Sequence, residues 1–260
     1  MRFARTWNAS LIAAAVAGAI VLAPQRSGAA PLKVLSAEAC ERFVTLMAAE
    51  FERQGGQPVK VDVDSTARLV QRINAGERFD VALITPAGLE RIVPRFMAGA
   101  AVDVARVGIG VAVRANAPRP DIRSVEGFKR SLRQARSVAY VDPAAGGTSG
   151  IYFSRLLERL GIADSIRPKA VLVPGAGVAQ RVAAGDADIG IQMMSELVGV
   201  KGVALVGPLP APIQTYTVYS GVIGASASDP AAARALLDLL RNAQAAGALK
   251  AAGLERVSMR

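Results

Sequence analysis

Residues 59–84 read VKVDVDSTARLVQRINAGERFDVALI, and their order decides the fold class. Val59, Val61 and Val63 alternate with polar residues, the period of a strand with one buried face. Ser65 and Thr66 then offer hydroxyls to the first turn of a helix. Leu69, Val70 and Ile73 fall on one face of that helix, and Gly76 ends it. Phe79 to Thr85 returns to a mainly apolar run, a second strand. A helix between two strands is the usual connection of a parallel sheet.

The alternation continues outward from this unit. Upstream, Leu32–Ser36 is a short apolar strand, and Cys40, Phe43, Val44, Met47 and Phe51 fall at helical spacing until Gly55-Gly56. Downstream, the pattern predicts a short helix over 89–97, an extended segment over 102–114 and a surface loop over 115–123. A helix at 124–135, a strand at 137–142, a Gly-rich turn at 143–148 and a helix at 149–160 follow. A strand at 170–173, a turn and helix at 175–184, and strands at 187–193, 203–206 and 215–225 come next. A helix over 231–240, with a weaker one after it, completes the reading. Ala184-Gly185-Asp186-Ala187-Asp188-Ile189 echoes the helix-to-strand junction at Ala75–Val81. Such junctions favour the same residues anywhere, but the echo also fits two similar lobes. The expected fold is α/β: two lobes of mostly parallel sheet flanked by helices, with a ligand cleft between them.

Composition narrows the chemistry. The 260 residues include no histidine and a single cysteine, Cys40. Ser-His-Asp and Cys-His catalysis, imidazole metal sites, zinc clusters and a disulfide framework are thereby excluded. GxSxG, SxxK, Walker and GxGxxG motifs are absent. Gly146-Gly147-Thr148-Ser149-Gly150 resembles a nucleophile elbow only loosely, with no base beside it. The expectation is a protein that is not an enzyme, with no cofactor and no metal.

The first residues have the layout of a secretory leader. Arg2 and Arg5 precede an uncharged apolar run from Leu11 to Ala23, and Ser27-Gly28-Ala29-Ala30 supplies a cleavage site. The run is short for a membrane span, which needs about 20 residues. Residues 1–29 are therefore read as a cleaved signal peptide and the mature chain as periplasmic. Cys40 lies too far beyond the small residues to be a lipoprotein cysteine. Losing Arg2, Arg5 and Arg26 lowers the net charge from +10 to +7. The remaining basic residues are dispersed, and Lys129, Arg130, Arg133 and Arg136 are spaced as one solvated helix face. An anionic solute, not nucleic acid, fits this charge.

Three turns between a strand and a helix carry the candidate binding chemistry: Asp64-Ser65-Thr66-Ala67, Ala144 to Gly150, and Pro174-Gly175-Ala176-Gly177-Val178. Each sets backbone N–H groups at a helix start, where anions bind. Ordinary helix capping would use the same residues. Asp62 and Asp64 share one strand face, as solvated edge acids commonly do.

These features together resemble the extracytoplasmic solute-binding proteins of ABC importers, and the molybdate-binding family among them. The resembling stretches are Lys33-Val34-Leu35-Ser36-Ala37-Glu38-Ala39, Ser65 through Ile73 with Ala75-Gly76-Glu77 and Asp80-Val81, and Ser149-Gly150-Ile151-Tyr152. The resemblance implies a type II periplasmic-binding fold. Residues 30–105 and 215–260 would form one lobe and 106–214 the other. It implies a monomer that captures a small anionic solute and delivers it to an ABC permease in the inner membrane. Carried over, the ligand contacts would be Glu38 and Ala39, then Ser65, Thr66 and Ala67, then Thr148 and Ser149, then Gly177 and Val178, and Gln192. The family's first serine falls at Ala39 and its tyrosine at Gln192 or Met193, while Glu38 adds a carboxylate. These departures point away from molybdate toward a related anion, a small organic acid or an oxyanion. The alternatives are a sensing domain for a membrane receptor and a secreted hydrolase using Asp62, Asp64 or Glu38.

Overall fold

The structure, a computed structural model, describes residues 30–257. The signal-peptide reading of residues 1–29 lies outside the described residues. The chain runs β1 (Leu32–Ala37), α1 (Glu41–Arg53), β2 (Val59–Asp64), α2 (Thr66–Asn74), β3 (Val81–Ile84), α3 (Pro86–Leu89) and β4 (Met97–Arg114). It continues through α4 (Val125–Gln134), β5 (Val138–Val141), α5 (Thr148–Arg159), α6 (Ala163–Ile166), β6 (Ala170–Val173), α7 (Val178–Ala184), β7 (Ile189–Met193) and α8 (Met194–Leu197). β8 (Val203–Pro208), β9 (Tyr216–Gly224), α9 (Pro230–Arg241), α10 (Ala245–Ala251) and β10 (Glu255–Arg256) complete it.

The hydrogen-bonded order is β2-β1-β3-β9-β4-β7-β5-β6, with β8 and β10 also on β4. β2, β1 and β3 are parallel, as are β7, β5 and β6. β9 and β4 join these groups through antiparallel pairs. The sheet is thus mixed, parallel in its outer strands and antiparallel at its centre. β4 is the link: residues 97–108 pair with β9, whereas Ile109 to Arg114 pair with β7 and β8. One strand therefore belongs to two sheets. Gln214 pins the changeover, accepting from the Ile109 amide at 3.0 Å and donating to the Ile109 carbonyl at 2.9 Å. The chain crosses back between β8 and β9.

Helices cover the sheets with one apolar face each. In α1, Phe43, Val44, Met47 and Phe51 are buried; in α5, Phe153, Leu156 and Leu157 are. Edge strand β2 keeps its acids at the surface, where Asp62 receives Arg72 at 2.7 Å and Asp64 receives it at 3.4 Å. The expected helix over 89–97 is replaced by the single turn of α3, a 3-10 turn at Pro94–Phe96 and the start of β4 at Met97. Thr85 caps Gly88 and Pro86 begins the helix, while Pro94 cannot continue one. Two short helices, α6 and α8, have too few residues to show a period in sequence.

Parallel pairing decides where a site can form. The carboxyl ends of β1, β2, β5, β6 and β7 each lead into a turn and a helix, and those turns converge on one cleft.

Candidate functional site

The cleft has a volume of about 580 Å³, room for a small organic anion. Glu38 and Ala39 reach it from the end of β1. Ser65, Thr66, Ala67 and Arg68 come from the start of α2, and Thr148 and Ser149 from the start of α5. Pro174 and Gly175 follow β6, Gln192 and Glu196 follow one another through the end of β7 into α8, and Tyr219 projects from β9. Of the expected contacts, Gly177 and Val178 lie outside this lining. Gly177 faces a neighbouring cavity, and Val178 is buried in the core beneath α7. A two-glycine turn lets the chain double back after Gly175, so only its first half reaches the cleft. Gly175 and Gly177 both have positive φ, at 82° and 139°.

The helix starts supply donors. In α5, Ile151 is the first amide to bond within the helix, to Gly147, which leaves the amides of Thr148, Ser149 and Gly150 without helical partners. In α2, the Ser65 hydroxyl accepts from the Arg68 amide at 3.3 Å, so its own proton is free to donate. The Thr66 and Ala67 amides are not used by that cap. Close packing seats α5: a methyl on Gly150 would collide with the Val141 carbonyl. Gln192 is buried, and its amide nitrogen finds no partner among the described residues. A buried donor aimed at a polar cleft is a ligand contact in waiting.

The carboxyls set the electrostatics. Enclosure by protein raises the Glu196 carboxyl to about 8; the charge of Glu38 adds to this, and the neighbouring Gln192 amide opposes it weakly. Glu38 is also raised, first by burial, then by Asp64 and Glu41. Burial raises the Tyr219 hydroxyl well above its ordinary range, so it stays protonated and can donate. Burial likewise pushes the Cys40 thiol up, and the sulfur is inert packing. Asp64 also lines the cleft but is paired with Arg72 at 3.4 Å; the other two carboxyls, Glu38 and Glu196, separate into a proton acceptor and a proton holder.

A family model for bacterial extracellular solute-binding proteins matches residues 32–255. The chain belongs to this family. The solute-binding family implies a small ligand, and the fold agrees. The periplasmic molybdate-binding protein of Azotobacter vinelandii superposes with a TM-score of 0.71, covering 87% of this chain and all of that one, at 21% identity. In sequence, the molybdate-binding protein ModA of that organism is 28% identical over 94% of this chain and 96% of its own length. An aconitate isomerase from a Pseudomonas species is 36% identical over 236 residues, 87% of this chain and 88% of its own.

That relative is an enzyme, and it corrects the expectation that this solute-binding chain is not one. Nucleophile–histidine and phosphate-loop patterns do not describe the chemistry this cleft offers, which is a pair of carboxyls, Glu38 just after β1 and Glu196 in α8. Glu196, Tyr219 and Arg68 escaped the sequence reading. A lone acid inside the otherwise uncharged stretch Ile189–Val200 was the signal for Glu196.

Proposed function

We propose that the protein interconverts the cis and trans forms of aconitate in this cleft, with Glu38 and Glu196 moving the proton. The observation that carries the reading is the carboxyl pair, in which Glu196 still holds its proton at neutral pH, facing the donor-rich starts of α2 and α5. The similarity to an aconitate isomerase supports it.

The chemistry follows from the substrate. Aconitate carries a carboxylate on each carbon of a propene skeleton. Its methylene hydrogen is acidified by both the adjacent carboxylate and the double bond. Glu38, the more open carboxyl, removes that hydrogen as a proton. The C–H electron pair becomes the new double bond. The old π pair takes the proton of Glu196 at the former vinyl carbon. The skeleton is symmetric end to end, so the product is again aconitate, its geometry set by how the carboxylates are held. No electron enters or leaves, and no cofactor is required. The amides at Thr66, Ala67, Thr148 and Ser149, the Arg68 guanidinium and the Tyr219 hydroxyl stabilise the charge that spreads onto the carboxylates.

Two lobes, residues 30–105 with 215–260 and residues 106–214, would close over the ligand and exclude water. The protein would act in the periplasm after removal of residues 1–29. Capture and delivery to an ABC permease in the inner membrane is a second role that the family membership supports, and it uses the same donors. An unpaired carboxylate disfavours a bare oxyanion there. Proton NMR of pure trans-aconitate with the mature protein is the test. Appearance of the cis form, slowed at least ~100-fold by Glu196→Gln, supports the reading; no interconversion by the wild type refutes it.

A further inference from the structure

Behind the cleft lies a second cavity of about 610 Å³, between α1 on one side and α7 and α8 on the other. The two cavities have only Glu38 and Glu196 in common among their lining residues. The carboxyl pair is thus the partition between them. The second cavity opens to solvent past Arg42, Thr45 and Gln180, all exposed. Its inner wall holds Ser195, 8% exposed, whose hydroxyl has no partner among the described residues. A buried hydroxyl beside a carboxyl, without a protein partner, is built to meet water.

We propose that this second cavity is the route by which Glu38 and Glu196 exchange protons with solvent while substrate fills the cleft, with Ser195 positioning the water that carries them. The proposal rests on the isomerase reading. Each turnover leaves the abstracted proton on Glu38 and Glu196 ionised. Both must be reset before the next turnover. Substrate covers the cleft side of the pair and excludes water there. The rear side remains wet: the O–H bond on Glu38 breaks toward rear water, and rear water gives Glu196 a proton, with no net change in charge. The hydrogen that Glu38 removed is therefore lost to solvent before the product leaves.

The experiment runs the mature protein on trans-aconitate in D2O and reads deuterium by mass spectrometry in the cis product and in the recovered trans-aconitate. With the wild type, trans-aconitate recovered at low conversion should already carry solvent deuterium, because the proton on Glu38 exchanges through the rear cavity before the step reverses. Thr45→Trp combined with Gln180→Trp narrows the rear mouth from both walls at exposed positions. Ser195→Ala removes the relay hydroxyl without added bulk. In either variant the product still carries the one deuterium that Glu196 took up before substrate bound, but the hydrogen on Glu38 stays in the complex and returns on reversal, so trans-aconitate recovered at low conversion should stay unlabelled, with the cleft residues untouched. Wild-type deuterium levels in the trans-aconitate recovered from both variants overturn the route, as does unlabelled recovered trans-aconitate with the wild type. An absence of any interconversion is a different result and fails the isomerase reading itself.

Discussion

Replacing Glu196 by Gln keeps the shape of the side chain and removes its proton. The wild-type carboxyl titrates at about 8 in the folded chain against an ordinary value of 4.5. Between these values the folded state holds a proton that the unfolded state has released. The unfolded state binds fewer protons, so stability falls as pH rises through this window. Each pH unit inside it is worth about 1.36 kcal/mol per proton. From about pH 5 to about pH 8, Glu196 therefore removes at most about 4 kcal/mol of stability. For a chain of this size that corresponds to roughly 10 °C in Tm. Glu38 slopes in the same direction but is present in both proteins, so the difference between wild type and Glu196→Gln isolates residue 196. Urea unfolding of both proteins at several pH values provides the assay. Glu196→Gln should gain stability relative to wild type steadily with pH, while losing turnover. A parallel pair of pH curves would refute the buried-proton account of Glu196 and, with it, its role as the proton donor.

Three further outcomes follow from the structure. Ser149→Val should weaken binding of the tricarboxylate about 10-fold or more, because it removes a buried donor at the α5 start and fills space, one decade being 1.4 kcal/mol; titration calorimetry measures it. Gly150→Ala should destabilise the fold and abolish binding, since its methyl would strike the Val141 carbonyl; thermal unfolding and the same titration read both effects. The Glu77 carboxyl, held near 2 chiefly by the Arg72 guanidinium, contributes stability present above its unfolded value and lost as pH falls from about 4.5 to about 2. Glu77→Gln should therefore flatten the acid limb of the unfolding curve, and an unchanged acid limb would disprove that assignment.

Much of the fold was legible because its signals are local. The strand at Val59–Asp64, the cap at Ser65, the apolar face of Leu69, Val70 and Ile73 and the stop at Gly76 each depend on neighbours a few residues away. Short-range periodicity and capping therefore revealed the α/β class, and the helix starts at Ser65 and Thr148 emerged as anion-ready turns. The helix expected over 89–97 failed for an equally local reason, since Pro94 breaks a pattern that apolar spacing alone suggested.

What sequence alone determined was this set of strands, caps and glycine stops, together with the absence of histidine chemistry. What only the tertiary structure decided was the company each residue keeps. Glu38 and Glu196 stand far apart in the chain, and nothing in their spacing announces a pair. Parallel pairing of β1 and of β7 in different sheets, joined through the shared strand β4, brings their carboxyl ends to the same cleft. Burial there, which no stretch of sequence carries by itself, holds a proton on one carboxyl. The backbone turn at Gly175 and Gly177 keeps Gly177 and Val178 out of the cleft lining, while the chain crossing brings in Tyr219 from β9. A carboxyl's proton affinity depends on solvent access and on charges across the fold, so the chemistry of the site arises only once the chain has closed on itself.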